Sequence, residues 1–134
     1  MQARHLGRPG SALRARLQLI LILLAFWNIL TFCLELTNTP LLEVGGVDGM
    51  LGARSASGAI AVLAVAYLYA ARNPIRYRFV LGLAVIEQFI AMFSSTFHWA
   101  RGDVCAGEAV LPIFVAAAFL LAIVSNLPRQ TDAI

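Results

Sequence analysis

The sequence predicts an all-α protein, an antiparallel four-helix transmembrane bundle that forms a single integral membrane domain over residues 1–134. Three observations carry this. Of the 134 residues, 60% are hydrophobic and 13% are charged, a balance outside that of soluble domains. A chain this short has too little interior to hide so much apolar surface, so lipid must supply the rest of its solvent. Finally, the apolar residues gather into four runs, each close to the roughly 20 residues that a hydrocarbon layer of ~30 Å requires. Backbone amides in lipid have to be satisfied within their own segment, and no period-two alternation suggests a barrel, so the runs are read as helices.

The first run covers residues 17–36, "LQLILILLAFWNILTFCLEL". Basic residues precede it, as in a secretory signal, but the run is long and no small-x-small cleavage site follows. Bulky Phe32 also spoils the likeness of "LTFC" to a lipoprotein box ending at Cys33, so the run is expected to remain as a span. The second run covers residues 52–71, the third 79–99 and the fourth 110–127. Pro112 is expected in the first turn of the fourth, where its missing N–H does no damage. Pro74 and Pro128 mark exits. The longest connection, residues 37–51, leads into "GGVDGMLG". That stretch lacks the Lys-Ser/Thr of a phosphate loop and the spaced carboxylates of a calcium loop. Its glycines are read as allowing tight turns near the membrane surface.

Arg placement sets the orientation. All ten cations are Arg, the bias of a GC-rich bacterial genome. Arg4, Arg8, Arg14, Arg16, Arg72, Arg76, Arg78 and Arg129 fall on one side of the predicted topology, against Arg54 and Arg101 on the other. Both termini are therefore expected in the cytoplasm. The net charge of +3 is not arranged as a basic stripe interleaved with aromatics, which argues against a nucleic-acid partner. Trp99, Tyr67, Tyr69 and Tyr77 lie near segment ends, where an aromatic belt would place them.

The informative residues are the polar ones inside the runs. Glu87 follows Arg78 by nine residues, which at ~1.5 Å per residue sets it roughly 13 Å deep, near the midplane. Insertion of an acid there costs about 2.5–3.5 kcal/mol, so it should face protein or water. Gln88 is its neighbour; Ser94 and His98 fall on its side of the helix, giving a stripe from midplane to outer surface. On the first helix Asn28 and Glu35 share a face, with Thr31 beside them, and Asn28 should match the depth of Glu87. Two facing stripes predict that the first and third helices meet there. The pattern suits a structural latch, a ligand or proton site, or a contact with a partner subunit.

Other combinations are weaker. Glu35 and Arg54 reach similar depths and form a candidate interfacial ion pair. Cys33 and Cys105 both map to the outer side, where a disulfide is permitted. No Cys-x-x-Cys motif marks a thiol-redox enzyme, and no ligand spacing marks a metal site. Ser57, Ala61 and Ala64, with Gly58 adjacent, give the second helix a small-residue side suited to close packing.

Two further motifs bear on kinship: "RSASG" at residues 54–58 opens the second span, and the turn "RNPIRYR" leads into a span with an acidic middle. In these and in its four short spans the chain resembles the small BphX-like and DoxX-like proteins of bacterial inner membranes. The resemblance implies architecture and location, and brings no catalytic residue or cofactor with it. The resulting expectation is a non-enzymatic accessory subunit, or a binder of an apolar small molecule, embedded in lipid beside a membrane-protein partner or a second copy of itself. A small proton-coupled transport element using Glu87 is the alternative. An outer-interface enzyme built on Glu35, His98 and Asp103 is the third reading.

Overall fold

The computed structural model describes the backbone of residues 9–36 and 47–127, and the side chains of residues 10–34 and 58–127. Among these the chain is all-helical, with four helices: α1 (Pro9–Leu36), α2 (Val47–Ala71), α3 (Arg78–Arg101) and α4 (Ala106–Ser125). Three described stretches, Gly10–Leu34 of α1, Arg78–Arg101 and Ala106–Ser125, are long and apolar enough to cross a membrane. Gly58–Ala71 of α2 is a shorter apolar stretch.

The helices outrun the apolar segments that predict them. The described part of α1 starts at Pro9, a residue type that the first turn of a helix tolerates. Val47–Leu51, expected within a turn-rich connection, is helical instead and opens α2; no proline interrupts it. α4 begins four residues before the expected start, which moves Pro112 from a first turn to the helix interior. There its ring removes the amide that would bond the Glu108 carbonyl, a loss that membrane helices tolerate more readily than soluble ones.

Both described connections are short and bonded. Between α2 and α3, Asn73 N donates to Ala70 O at 3.0 Å and Tyr77 N to Asn73 O at 3.1 Å, with Pro74 fully buried. Arg14 of α1 donates to the Arg72 carbonyl at 2.9 Å, so the start of α1 lies beside the end of α2. Between α3 and α4, Gly102 takes a left-handed φ of 78° and its N–H returns to the last carbonyls of α3, a geometry that favours glycine. Cys105 then caps α4. Its N–H donates to the Glu108 carboxylate at 2.9 Å while its sulfur accepts from the Glu108 N–H, the reciprocal arrangement that satisfies first-turn amides.

α1 packs mainly along α2, and α3 mainly along α4. The core draws on the first half of α1 (Leu17, Leu21, Leu24), the end of α2 (Tyr67, Ala70, Ala71), the start of α3 (Val80, Leu81, Ala84) and Ile123 near the end of α4. On α1 the buried positions 17, 21, 24, 25 and 28 recur at helical spacing and define one face. Outward positions such as Phe26, Val62, Phe89 and Phe114 are large, apolar and exposed, which is compatible with contact to lipid.

Candidate functional site

Where the apolar core stops, polar groups begin. Glu87, on α3, receives hydrogen bonds from two other helices. Asn28 Nδ2 of α1 donates to Glu87 Oε1 at 2.7 Å. The Tyr67 hydroxyl of α2 donates to Oε2 at 2.5 Å, and Gln88 Nε2 donates to the same oxygen at 3.1 Å. One carboxyl group thus ties α1, α2 and α3 together. Asn28 and Gln88 are each 3% exposed and Tyr67 is fully buried. Among the described residues no buried side-chain nitrogen or oxygen lacks a partner, which is what a low-dielectric interior requires.

Glu87 also lies on the wall of a cavity of about 560 Å³. All four helices contribute: Trp27, Asn28 and Thr31 from α1, Ala59, Ile60 and Leu63 from α2, the Leu83-to-Ser95 side of α3, and Pro112 and Ala116 from α4. Leu83, Ile86 and Ile90, also in the lining, are 42–59% exposed. The cavity is therefore a groove open along one edge rather than a closed void. Its volume lies in the range of small-molecule sites, and its mainly apolar wall with a few convergent polar groups is the usual make-up of such sites.

The sequence-predicted residues divide clearly. Asn28, Glu87 and Gln88 come together. Ser94 joins them in the lining, and Thr31 does too, although its hydroxyl donates to the Trp27 carbonyl of its own helix at 3.0 Å. His98 does not belong to the groove: its Nδ1 meets Asp103 Oδ2 at 2.9 Å, and Arg101 Nε approaches the same oxygen at 3.5 Å. The left-handed turn at Gly102 brings Asp103 back over the last turn of α3, where that local acid captures the histidine.

Cys33 and Cys105 are not bonded to one another. Both lie on exposed surface, and the Cys105 sulfur is occupied in capping α4. The candidate Glu35–Arg54 pair and the side chain of Ser57 lie outside the described residues.

Tyr67 is the residue that sequence reasoning placed elsewhere. Tyr69 and Tyr77 do sit at the rim, with ring centroids 5.1 Å apart and the guanidinium groups of Arg72 and Arg76 over them. Tyr67, counted with them as belt, is turned into the core instead. Helical side chains tilt towards their N-terminus, so a tyrosine one turn from the end of α2 carries its hydroxyl deeper, to the level of Glu87. The signal was present: three residues beyond Ala64 on the small-residue side comes Tyr67.

Fold and site together are those of an all-helical protein whose helices are compatible with an integral membrane protein and whose interior holds a polar cluster beside an apolar groove. No family model, curated protein or solved structure matches the chain.

Proposed function

We propose that this chain is a non-enzymatic integral protein of a bacterial inner membrane that binds an apolar guest in the groove, with the guest's polar end at Glu87. The single observation that carries this is the position of Glu87: it is bonded to three side chains and still borders about 560 Å³ of mainly apolar space. A latch alone needs no space beside it; native-like packing would close it. An antiparallel bundle with cytoplasmic termini accounts for the shared end at which α1 starts and α2 stops, and for Arg14, Arg16, Arg72, Arg76 and Arg78 near that end. The transport alternative has less support, since His98 is engaged by Asp103 and, among the described residues, no other ionisable side chain lines the groove. The surface enzyme has one pair of its three residues in contact, His98 and Asp103.

The test is labelling of the purified full chain in neutral detergent with a diazirine-bearing hexadecanol, mapped by mass spectrometry. Crosslinks should concentrate at Leu63, Ile90 and Ala91, and Ala91→Trp should remove most of them while labelling at outward Phe114 persists. Equal labelling of groove and Phe114, insensitive to Ala91→Trp, would overturn the proposal.

A further inference from the structure

The chemistry of the wall constrains the charge of the guest. Among the described residues Glu87 is the only ionisable one in the groove lining; the rest is apolar except for Asn28, Thr31, Gln88, Ser94 and Ser95. Its three hydrogen-bond donors, Asn28, Tyr67 and Gln88, are all neutral, and all direct hydrogen at its oxygens. Such a set holds the carboxyl group in place, yet brings no positive charge to it. Among the described residues the ion pairs are those of Asp103, in the last turn of α3 and just beyond it. Among the described residues no element packed against Glu87 brings a cation: α1 offers Asn28, α2 offers Tyr67, and α4 lines the groove with Pro112 and Ala116.

A carboxylate has about four acceptor positions, and three are filled here. Oε1 receives only Asn28, so one position remains on a group that borders the groove. A buried charge is tolerated when it is paired as well as hydrogen-bonded. Trp27 lines the same space, and an indole face is the aromatic surface that best attracts an ammonium group.

We infer that the groove selects a hydrophobic monocation, a protonated amine on an aliphatic or aromatic body. Its charge would sit against Glu87 and near Trp27, and its apolar part along Ile60, Leu63 and Ile90. The inference rests on the groove reading above and adds the sign of the guest's charge to it.

The experiment uses the full chain in neutral detergent and three probes of equal chain length: hexadecylammonium, hexadecanol and hexadecyl sulfate. Each competes against the diazirine-bearing hexadecanol for labelling of Leu63 and Ile90. The ammonium should displace the label at a concentration about tenfold lower than hexadecanol, the gain of one charge-assisted contact, with the sulfate weakest. In Glu87→Gln the ammonium's advantage over hexadecanol should vanish. Where the variant does not assemble, the order of the three probes on the native chain carries the test alone. Equal competition by ammonium and alcohol overturns the charge inference and leaves the groove intact. Failure of the alcohol itself to label groove residues overturns both.

Discussion

The two ends of the bundle differ in kind. At the end where α1 and α3 begin, Leu17, Leu21, Leu24, Leu81 and Ile123 are fully buried and interlock with Ala64, Ala70 and Ala84. Towards the other end the same four helices leave a groove, and the residues that face it are a mixture of half-buried aliphatics and small polar groups. The Glu87 cluster stands at the boundary. Helices in lipid associate through packing and hydrogen bonds, because lipid tails are as apolar as leucine and provide no hydrophobic drive between helices. The closed end illustrates the first means and the boundary the second. Close packing and open space are thus placed in different halves of one small fold.

That contrast is breakable by mutation. Leu21→Ala should have the largest effect, about 3 kcal/mol of lost stability, because a leucine deleted from a close-packed site leaves a void that its neighbours cannot fill. Ile60→Ala at the groove should cost about 1 kcal/mol, since that side chain is half-buried and already borders open space. Reversible unfolding in mixed micelles measures both, and equal losses would erase the distinction between the ends. Next comes Glu87→Ala, at about 2 kcal/mol, which strands Asn28, Tyr67 and Gln88 together. Glu87→Gln should cost less than half as much, because the amide keeps an acceptor for one of them. The same unfolding assay separates the two, and a Gln variant as weak as the Ala variant would show that charge itself holds the helices. Tyr67→Phe should cost about 1 kcal/mol for one lost donor. Its added consequence is a carboxylate with one fewer donor, so binding of the ammonium probe should strengthen as stability falls.

Much of this was legible in the sequence. Asn28 and Glu87 stand out as polar residues deep in apolar runs, and counting helical rise from Arg78 matched their depths. Depth and face are properties of one helix at a time, so they survive without knowledge of the partner helix. Tyr67 needed the direction of a side chain rather than the position of its Cα, and the rim reading that suits Tyr69 and Tyr77 was extended to it wrongly. His98 failed for the opposite reason. Its face was assigned correctly by helical spacing, but Asp103 beyond the helix end reached it first through the Gly102 turn. Pro112 was misplaced because hydropathy locates the apolar part of α4, whereas the Cys105–Glu108 cap decides where its helix starts.

One consequence lies in α4. The hydrogen bonds to Glu87 come from Asn28, Tyr67 and Gln88, on α1, α2 and α3, while α4 meets the groove through Pro112 and Ala116 and buries Ala109, Ala116 and Ile123 at intervals of seven. This helix is seated by contour rather than by bonding. Enlarging Ala116 should therefore alter how bulky a molecule the recess admits without touching its preference for charge. Girth and electrostatic taste become independently adjustable, each assigned to its own stretch of chain.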